Sequence, residues 1–163
     1  MPKTAAPLVH KTGDGESNDA FGIKRWFRIT PDDTDGAFAI FEEDVPEGVG
    51  PPLHIHHDEI EVFTVLSGSV RFHCNGHELV AEAGATVMIP AGSRHTFQGV
   101  GPGSSRILVM LSPGKGEGFF RDVATQGLSP KGDMEAISAL GRDYGVTFVG
   151  TPLSQIEHQD RAQ

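Results

Sequence analysis

The chain has 163 residues, a formal net charge of −9 at pH 7 and one cysteine. That length fits one domain, and a single cysteine excludes both a disulfide framework and a cysteine zinc cluster. No apolar run reaches the roughly 20 residues of a membrane span, and the N-terminus carries none of signal-peptide length. The 13 basic residues are scattered, which argues against nucleic acid. We therefore expect a cytoplasmic protein without nucleic-acid or membrane partners.

Glycine and proline are frequent, at 21 and 11 residues, which favours short strands joined by turns over a helix bundle. After a turn-like cluster at 31–36 and a Pro/Gly-rich loop at 46–52, Asn75-Gly76 predicts a tight hairpin, because both central residues of such a turn need positive φ. The pattern predicts an all-β fold, a small antiparallel β-barrel. Its predicted strands are 22–30, 37–45, 60–67, 69–74, 77–82, 85–89, 94–98 and 105–112.

The last third of the chain differs in character. We expect helices at 117–126 and 133–144, the second capped by Asp133 and ended by Gly145. This second helix should cover the barrel and carry no chemistry. The expected organisation, in chain order, is a flexible arm at 1–20, a β-barrel at 21–115, a helical and strand extension packing on the barrel at 116–153, and a polar tail at 154–163.

Three histidines and one glutamate form the main candidate site. His54 and His56 are two positions apart, so on a strand their side chains project to one face. Glu61 begins an inward-facing run, where an unpaired carboxylate would be costly to bury. His95 starts another short strand. This set suits one divalent transition metal (Fe, Mn, Ni, Co, Cu or Zn), although histidines bonded to backbone carbonyls in the core would give the same pattern.

Strand alternation also predicts which neighbours share the face of the site. Phe63 and Val65 have the parity of Glu61, and Phe97 has the parity of His95. These three apolar residues are our candidate pocket residues, since binding pockets are mostly apolar. They would equally serve to fill a small barrel. Glu59 shares the parity of Glu61, but we expect a loop to intervene and leave it solvated.

The spacing of these residues resembles that of a known family. Residues 48–68 read G-x5-H-x-H-x4-E-x6-G, and residues 84–95 read G-x5-P-x-G-x2-H, with 15 residues between them. These are similar to the two motifs of the cupin superfamily, in the order and with the short spacer of small single-domain members. The resemblance implies a jelly-roll barrel, also called a double-stranded β-helix. It implies that the metal ligands are His54, His56, Glu61 and His95. Gly99 stands where the family often has asparagine, which is not a ligand position.

The resemblance extends to the quercetin dioxygenase-like group, which implies a metal-dependent dioxygenase acting on a small enolisable or aromatic substrate. Glu61 would then be both a ligand and the base that takes the substrate proton. Two other functions stay open. One is a non-oxidative isomerase, lyase or decarboxylase with the metal as Lewis acid, and the other is a cupin that binds a small ligand such as a sugar. Cupins commonly form homodimers, for which the strand at 22–30 is our candidate interface.

Overall fold

The computed structural model describes residues 6–160, so predictions for 1–5 and 161–163 lie outside it. Within that range the chain forms eleven strands, a short 3-10 turn at Pro31–Asp33 and three α-helices. The strands are β1 (Ser17–Ala20), β2 (Ile23–Ile29), β3 (Ala39–Pro46), β4 (Pro52–His56), β5 (Ile60–Ser67), β6 (Ser69–Cys74), β7 (His77–Glu82), β8 (Thr86–Ile89), β9 (Arg94–Val100), β10 (Ser104–Ser112) and β11 (Val146–Pro152). The helices are α1 (Glu117–Thr125), α2 (Met134–Asp143) and α3 (Leu153–Asp160).

The strands form two antiparallel sheets. One has six strands in the order β1-β2-β3-β10-β5-β8, and the other has five in the order β11-β4-β9-β6-β7. Each sheet joins strands that are distant in sequence, as in a jelly roll, where the chain passes repeatedly between two sheets. The predicted all-β barrel is confirmed.

The core lies between the two sheets and follows the alternation of the strands. Along β5, Phe63 and Val65 point inward and are each 1% exposed, whereas Leu66 is 46% exposed. The Phe63 ring packs against Phe72 and Phe97, with ring centroids 5.1 and 5.3 Å away. Burying one such side chain contributes about 1.5–3 kcal/mol, so this aromatic layer is a main source of barrel stability.

The predicted hairpin at Asn75-Gly76 is present. Asn75 has a φ of 49° and Gly76 a φ of 84°, the positive values that a two-residue hairpin turn of this kind requires. The turn sets the register of β6 and β7, in which Cys74 lies opposite His77.

The N-terminal arm differs from expectation. Residues 17–20, assigned from the sequence to the flexible arm, form β1 and pair with β2. On its other side β2 pairs with β3. Both edges of β2 are therefore occupied, so the strand at 22–30 has no free edge through which to join a second copy, and that predicted dimer contact is wrong.

Residues 116–145, which we call the cap, contain α1 and α2. Both helices lie within one residue of their expected bounds. Gly145 has a φ of 75° and ends the second helix as expected. Asp133 stands just before α2, but its carboxylate accepts the N–H of Ser129 at 2.9 Å instead of capping the helix. Phe119, Val123 and Ile137 of the cap form a second small core together with Ala20 of β1.

The end of the chain continues as structure beyond the cap. β11 returns to the five-stranded sheet beside β4. Residues 154–160 of the expected polar tail belong to α3, which begins at Leu153, the last residue of the expected extension and 1% exposed. In residues 6–160, none of the helices has the length and apolar character needed to cross a membrane.

Candidate metal centre

Four side chains from three strands meet inside the barrel. His54 and His56 project from the same face of β4, and His95 on β9 is the cross-strand partner of His54. Glu61 reaches the same point from β5, in the opposite sheet. One ligand atom from each of the four lies within 4.8 Å of the others, and all four residues are buried. The structure therefore brings together every residue predicted from the motif spacing.

Hydrogen bonds fix how each imidazole presents its two nitrogens. The Nδ1 atom of His54 contacts the carbonyl oxygen of Pro52 at 2.8 Å, and that of His95 contacts the carbonyl oxygen of Ser93 at 3.0 Å. The Nδ1 atom of His56 contacts the Glu59 carboxylate at 2.9 Å. When Nδ1 donates to such an oxygen and the ring is neutral, the lone pair is on Nε2. This is the arrangement typical of metal-binding histidines.

Glu61 makes the closest contacts within the cluster. One of its carboxylate oxygens lies 2.5 Å from Nε2 of His95 and 3.5 Å from Nε2 of His56. Burial raises the pKa of Glu61, but His56 and His95 outweigh that effect and hold the pKa at about 2. Glu61 is therefore ionised near neutral pH and available as a ligand.

The histidines differ in how readily they take a proton. Burial, together with the neighbouring His95 and His56, lowers the pKa of His54 to about 3, so this ring is neutral. Burial also lowers the pKa of His56, but Glu61 and Glu59 more than offset it, and the pKa is raised. A proton and a metal ion compete for such a nitrogen, so metal binding here should weaken in acid.

The donor set fits a divalent transition metal. Imidazole nitrogen suits Zn, Cu, Fe and Ni, and a carboxylate oxygen is accepted by most of these ions. Four convergent donors, with the outer nitrogen of each ring bonded, meet the basic requirements of a metal site. The residues could hold any of these ions and do not select one of them.

A largely aromatic cavity adjoins the cluster. His54, His56 and Glu61 line it, and Phe63 and Phe97 do so as predicted. The rest of its wall comes from Phe21, Ile23, Arg25, Phe41, Glu43, Pro51, Val109, Phe119, Phe120, Val146 and Phe148. Val65 is not part of this wall. It has the predicted inward parity, but it lies one step further along β5 and packs in the barrel core.

Glu59, predicted to be solvated, is instead 5% exposed and belongs to the site. Besides its contact with His56, its carboxylate accepts the backbone N–H of Gly116 at 2.6 Å. A Cβ at position 116 would stand 2.3 Å from this carboxylate, so the close approach requires glycine. His57 points away from the cluster, and its Nε2 contacts the Thr147 hydroxyl at 2.8 Å.

The two facing sheets and the buried cluster define a jelly-roll protein with a His/Glu site suited to a metal. Residues 41–111 match the family model described as the cupin domain. That segment contains all four cluster residues and most of both sheets. Over this segment the chain is similar to the cupin superfamily.

Two curated proteins match in sequence. The chain is 26% identical over 121 residues to quercetin 2,3-dioxygenase of Bacillus subtilis, covering 74% of this chain and 36% of that protein. It is 45% identical over 49 residues to the probable oxidoreductase virH of Hypocrea virens, covering 29% of this chain and 22% of that protein. The chain thus spans well under half the length of either relative.

Among solved structures, the polyketide cyclase RemF from Streptomyces resistomycificus superposes with a TM-score of 0.57 and 23% sequence identity. The match covers 66% of this chain and 80% of the cyclase. At that identity the similarity establishes the fold.

Proposed function

We propose that the protein is a metal-dependent dioxygenase acting on a small enolisable or aromatic compound. The observation that carries this proposal is the buried cluster of His54, His56, Glu61 and His95 at the wall of an aromatic cavity. The similarity to quercetin 2,3-dioxygenase supports the same chemistry. A planar substrate would lie among the phenylalanine rings, with its oxygen directed at the cluster.

The chain's own residues would divide the work between binding and proton transfer. A bound metal would supply Lewis acidity, lowering the pKa of a substrate hydroxyl group. His54, His56 and His95 would hold that ion, and the ionised Glu61 would accept the hydroxyl proton. Phe63 and Phe97 line the cavity beside the cluster and exclude water from the reacting centre.

Oxygen consumption tests this proposal. The protein is reconstituted separately with Fe, Mn, Co, Ni or Cu and supplied with flavonols and smaller hydroxy-ketones. Substrate-dependent oxygen uptake with at least one ion is expected. In Glu61→Gln, uptake should fall by about 10²–10⁴-fold. The absence of uptake with every ion and substrate would count against a dioxygenase.

A non-oxidative isomerase, lyase or decarboxylase is the second candidate. The polyketide cyclase shares the fold, and the same donor set could hold a metal that acts only as a Lewis acid. Such an enzyme would convert its substrate equally well without oxygen, which a dioxygenase cannot do.

The third candidate is a cupin that binds a small ligand such as a sugar. It is favoured if Glu61→Gln still binds metal and ligand and neither the wild type nor this variant shows turnover.

The homodimer and the cytoplasmic location remain predictions. Because both edges of β2 are paired, a second copy would have to use another surface. β7 and β8 lie at the free ends of the two sheets, and Val80 and Met88 on these strands are more than half exposed. We propose this surface as the dimer contact. Sedimentation equilibrium should give twice the monomer mass, and a monomer at all concentrations would rule it out.

A further inference from the structure

A buried ion pair lies in the wall of the cavity, on the six-stranded sheet. Arg25 of β2 and Glu43 of β3 are cross-strand partners, and each is 2% exposed. The Nε atom of Arg25 donates to Oε1 of Glu43 at 2.8 Å, and its Nη2 atom donates to the same oxygen. Both residues line the cavity that also contains His54, His56 and Glu61.

This ion pair is incompletely satisfied. Nη1 of Arg25 and Oε2 of Glu43 are buried, and neither has a hydrogen-bond partner among residues 6–160. A buried polar atom without a partner destabilises the folded state, and more so when it is charged. The same pair of residues therefore leaves a guanidinium nitrogen and a carboxylate oxygen without partners.

A second ion pair on the same two strands shows that this is not a general property of the sheet. Arg28 donates to one carboxylate oxygen of Glu42 through Nη2 and to the carbonyl oxygen of Lys11, at 2.7 Å, through Nη1. The other oxygen of Glu42 accepts from Arg106 at 3.0 Å. This pair does not line the cavity beside the cluster, and both oxygens of Glu42 and both terminal nitrogens of Arg28 have partners. Of these two pairs, only Arg25–Glu43 contains buried polar atoms without a partner among residues 6–160.

The chemistry of the cavity pair selects its ligand. The Arg25 guanidinium lies against the rings of Phe120 and Phe41, with Cζ 3.7 and 5.2 Å from the ring centroids. The adjacent charges oppose each other, so the pair favours a neutral group over an anion or a cation. A hydroxyl group matches both free atoms, because its oxygen accepts from Arg25 while its hydrogen is donated to Glu43. Burial disfavours the ionised form of Glu43 and so raises its pKa. A hydrogen bond from the hydroxyl group would offset part of that cost.

We propose that Arg25 and Glu43 form a hydroxyl-binding subsite that orients the substrate between the two sheets. The substrate class is a small ring compound with one oxygen for the metal and a second, neutral hydroxyl for this pair. This inference rests on the proposed function for the first contact only. The three cluster histidines lie on the five-stranded sheet and the subsite on the six-stranded sheet, so the two contacts would hold the ring across the cavity.

Two probes that differ by one hydroxyl test the subsite. Kojic acid and allomaltol present the same hydroxy-ketone to a metal, but kojic acid carries a hydroxymethyl group where allomaltol has a methyl. Calorimetry with zinc-loaded protein measures binding without oxygen chemistry. Kojic acid should bind at least about tenfold more tightly, since a site built for a hydroxyl rejects an analogue that lacks it.

The test variant combines Arg25→Met with Glu43→Leu, because replacing both partners of a buried pair is usually tolerated, whereas removing one is not. It should fold, retain zinc and bind the two probes about equally. The matched control, Arg28→Met with Glu42→Leu, should keep the preference. Glu43→Gln, which turns the free acceptor into a donor, is a second test variant if the double variant does not fold, and it should reduce the preference.

Equal binding of the two probes by the wild type, or an unchanged preference in the variants, would overturn the subsite. So would failure of both probes to bind. The outcome is separable from the proposed function. A preference for kojic acid without oxygen uptake would contradict the dioxygenase and support the subsite. Oxygen uptake without that preference would support the dioxygenase and contradict the subsite.

Discussion

The barrel and the cap contribute differently to the metal centre. The barrel orients two of the imidazoles with its own backbone, through the carbonyl oxygens of Pro52 and Ser93. The third, His56, is oriented by Glu59, which in turn accepts the N–H of Gly116 at the start of the cap. The cupin-like motifs lie in the barrel alone, yet one histidine of the cluster is oriented through a contact with a residue outside them.

The two regions also differ in what they build around the cluster. The barrel supplies a continuous core between the sheets. The cap has a much smaller core, but Phe119 and Phe120 from α1 complete the cavity wall. We infer that the barrel determines whether the protein folds, whereas the cap adjusts ligand geometry and closes the cavity.

The largest effect on stability should come from the barrel core. Phe63→Ala removes a ring that packs against Phe72 and Phe97, and it should lower the free energy of unfolding by about 3–5 kcal/mol. Urea denaturation measures this. The matched control is Leu66→Ala on the same strand, whose side chain is exposed and whose loss should cost about 0.5 kcal/mol or less. Similar losses in the two variants would contradict the assignment of the core.

A smaller effect should appear in metal affinity when Glu59, which connects His56 to the cap, is substituted. Glu59→Gln weakens the acceptor that orients His56, and such outer contacts typically change metal affinity by about 10–100-fold. Competition with a chromophoric chelator measures the affinity. Glu78→Gln is the control, because Glu78 makes a similar contact to His73 at 3.3 Å, on the surface. Unchanged affinity in Glu59→Gln would show that the barrel orients His56 unaided.

The smallest effect concerns the cap alone. The Tyr144 hydroxyl donates to Asp122 at 2.6 Å, and Tyr144→Phe should cost about 1 kcal/mol without altering metal content. The bond raises the pKa of Tyr144 from 10.0 to about 12. The folded state therefore holds this proton more tightly, so the contribution is complete below pH 10 and disappears as the pH rises towards 12. The unfolding temperatures of the wild type and Tyr144→Phe should therefore converge as the pH rises from 10 to 12. A constant difference between them would contradict this.

The parts of the site that follow local rules could be predicted from the sequence. His54 and His56 share a face because of strand alternation, and the family motif implied Glu61 and His95 as their partners. Strand alternation correctly predicted that Val65 faces the interior of the barrel. It could not predict that Val65 lies beyond the cavity, because that depends on how far β5 extends past it. Parity alone therefore could not separate a pocket residue from a core residue.

The missed features depend on distant partners. The contact that links Glu59 to the cap is its hydrogen bond with Gly116, 57 positions away. No local sequence pattern indicates this bond. Residues 17–20 read Ser-Asn-Asp-Ala, and asparagine and aspartate are depleted in strands. They become β1 only because β2 offers an edge. Similarly, the Arg25–Glu43 subsite is visible only once β2 and β3 are in register.

Metal content is the most direct test of the central claim that these four residues form a metal site. Elemental analysis of tag-free protein, after reconstitution and removal of free metal, should find about one divalent transition ion per chain. His56→Ala should lose most of it, while the adjacent His57→Ala, which alters a ring directed away from the cluster, should retain it. Wild type without bound metal, or equal metal in His56→Ala and wild type, would contradict the account.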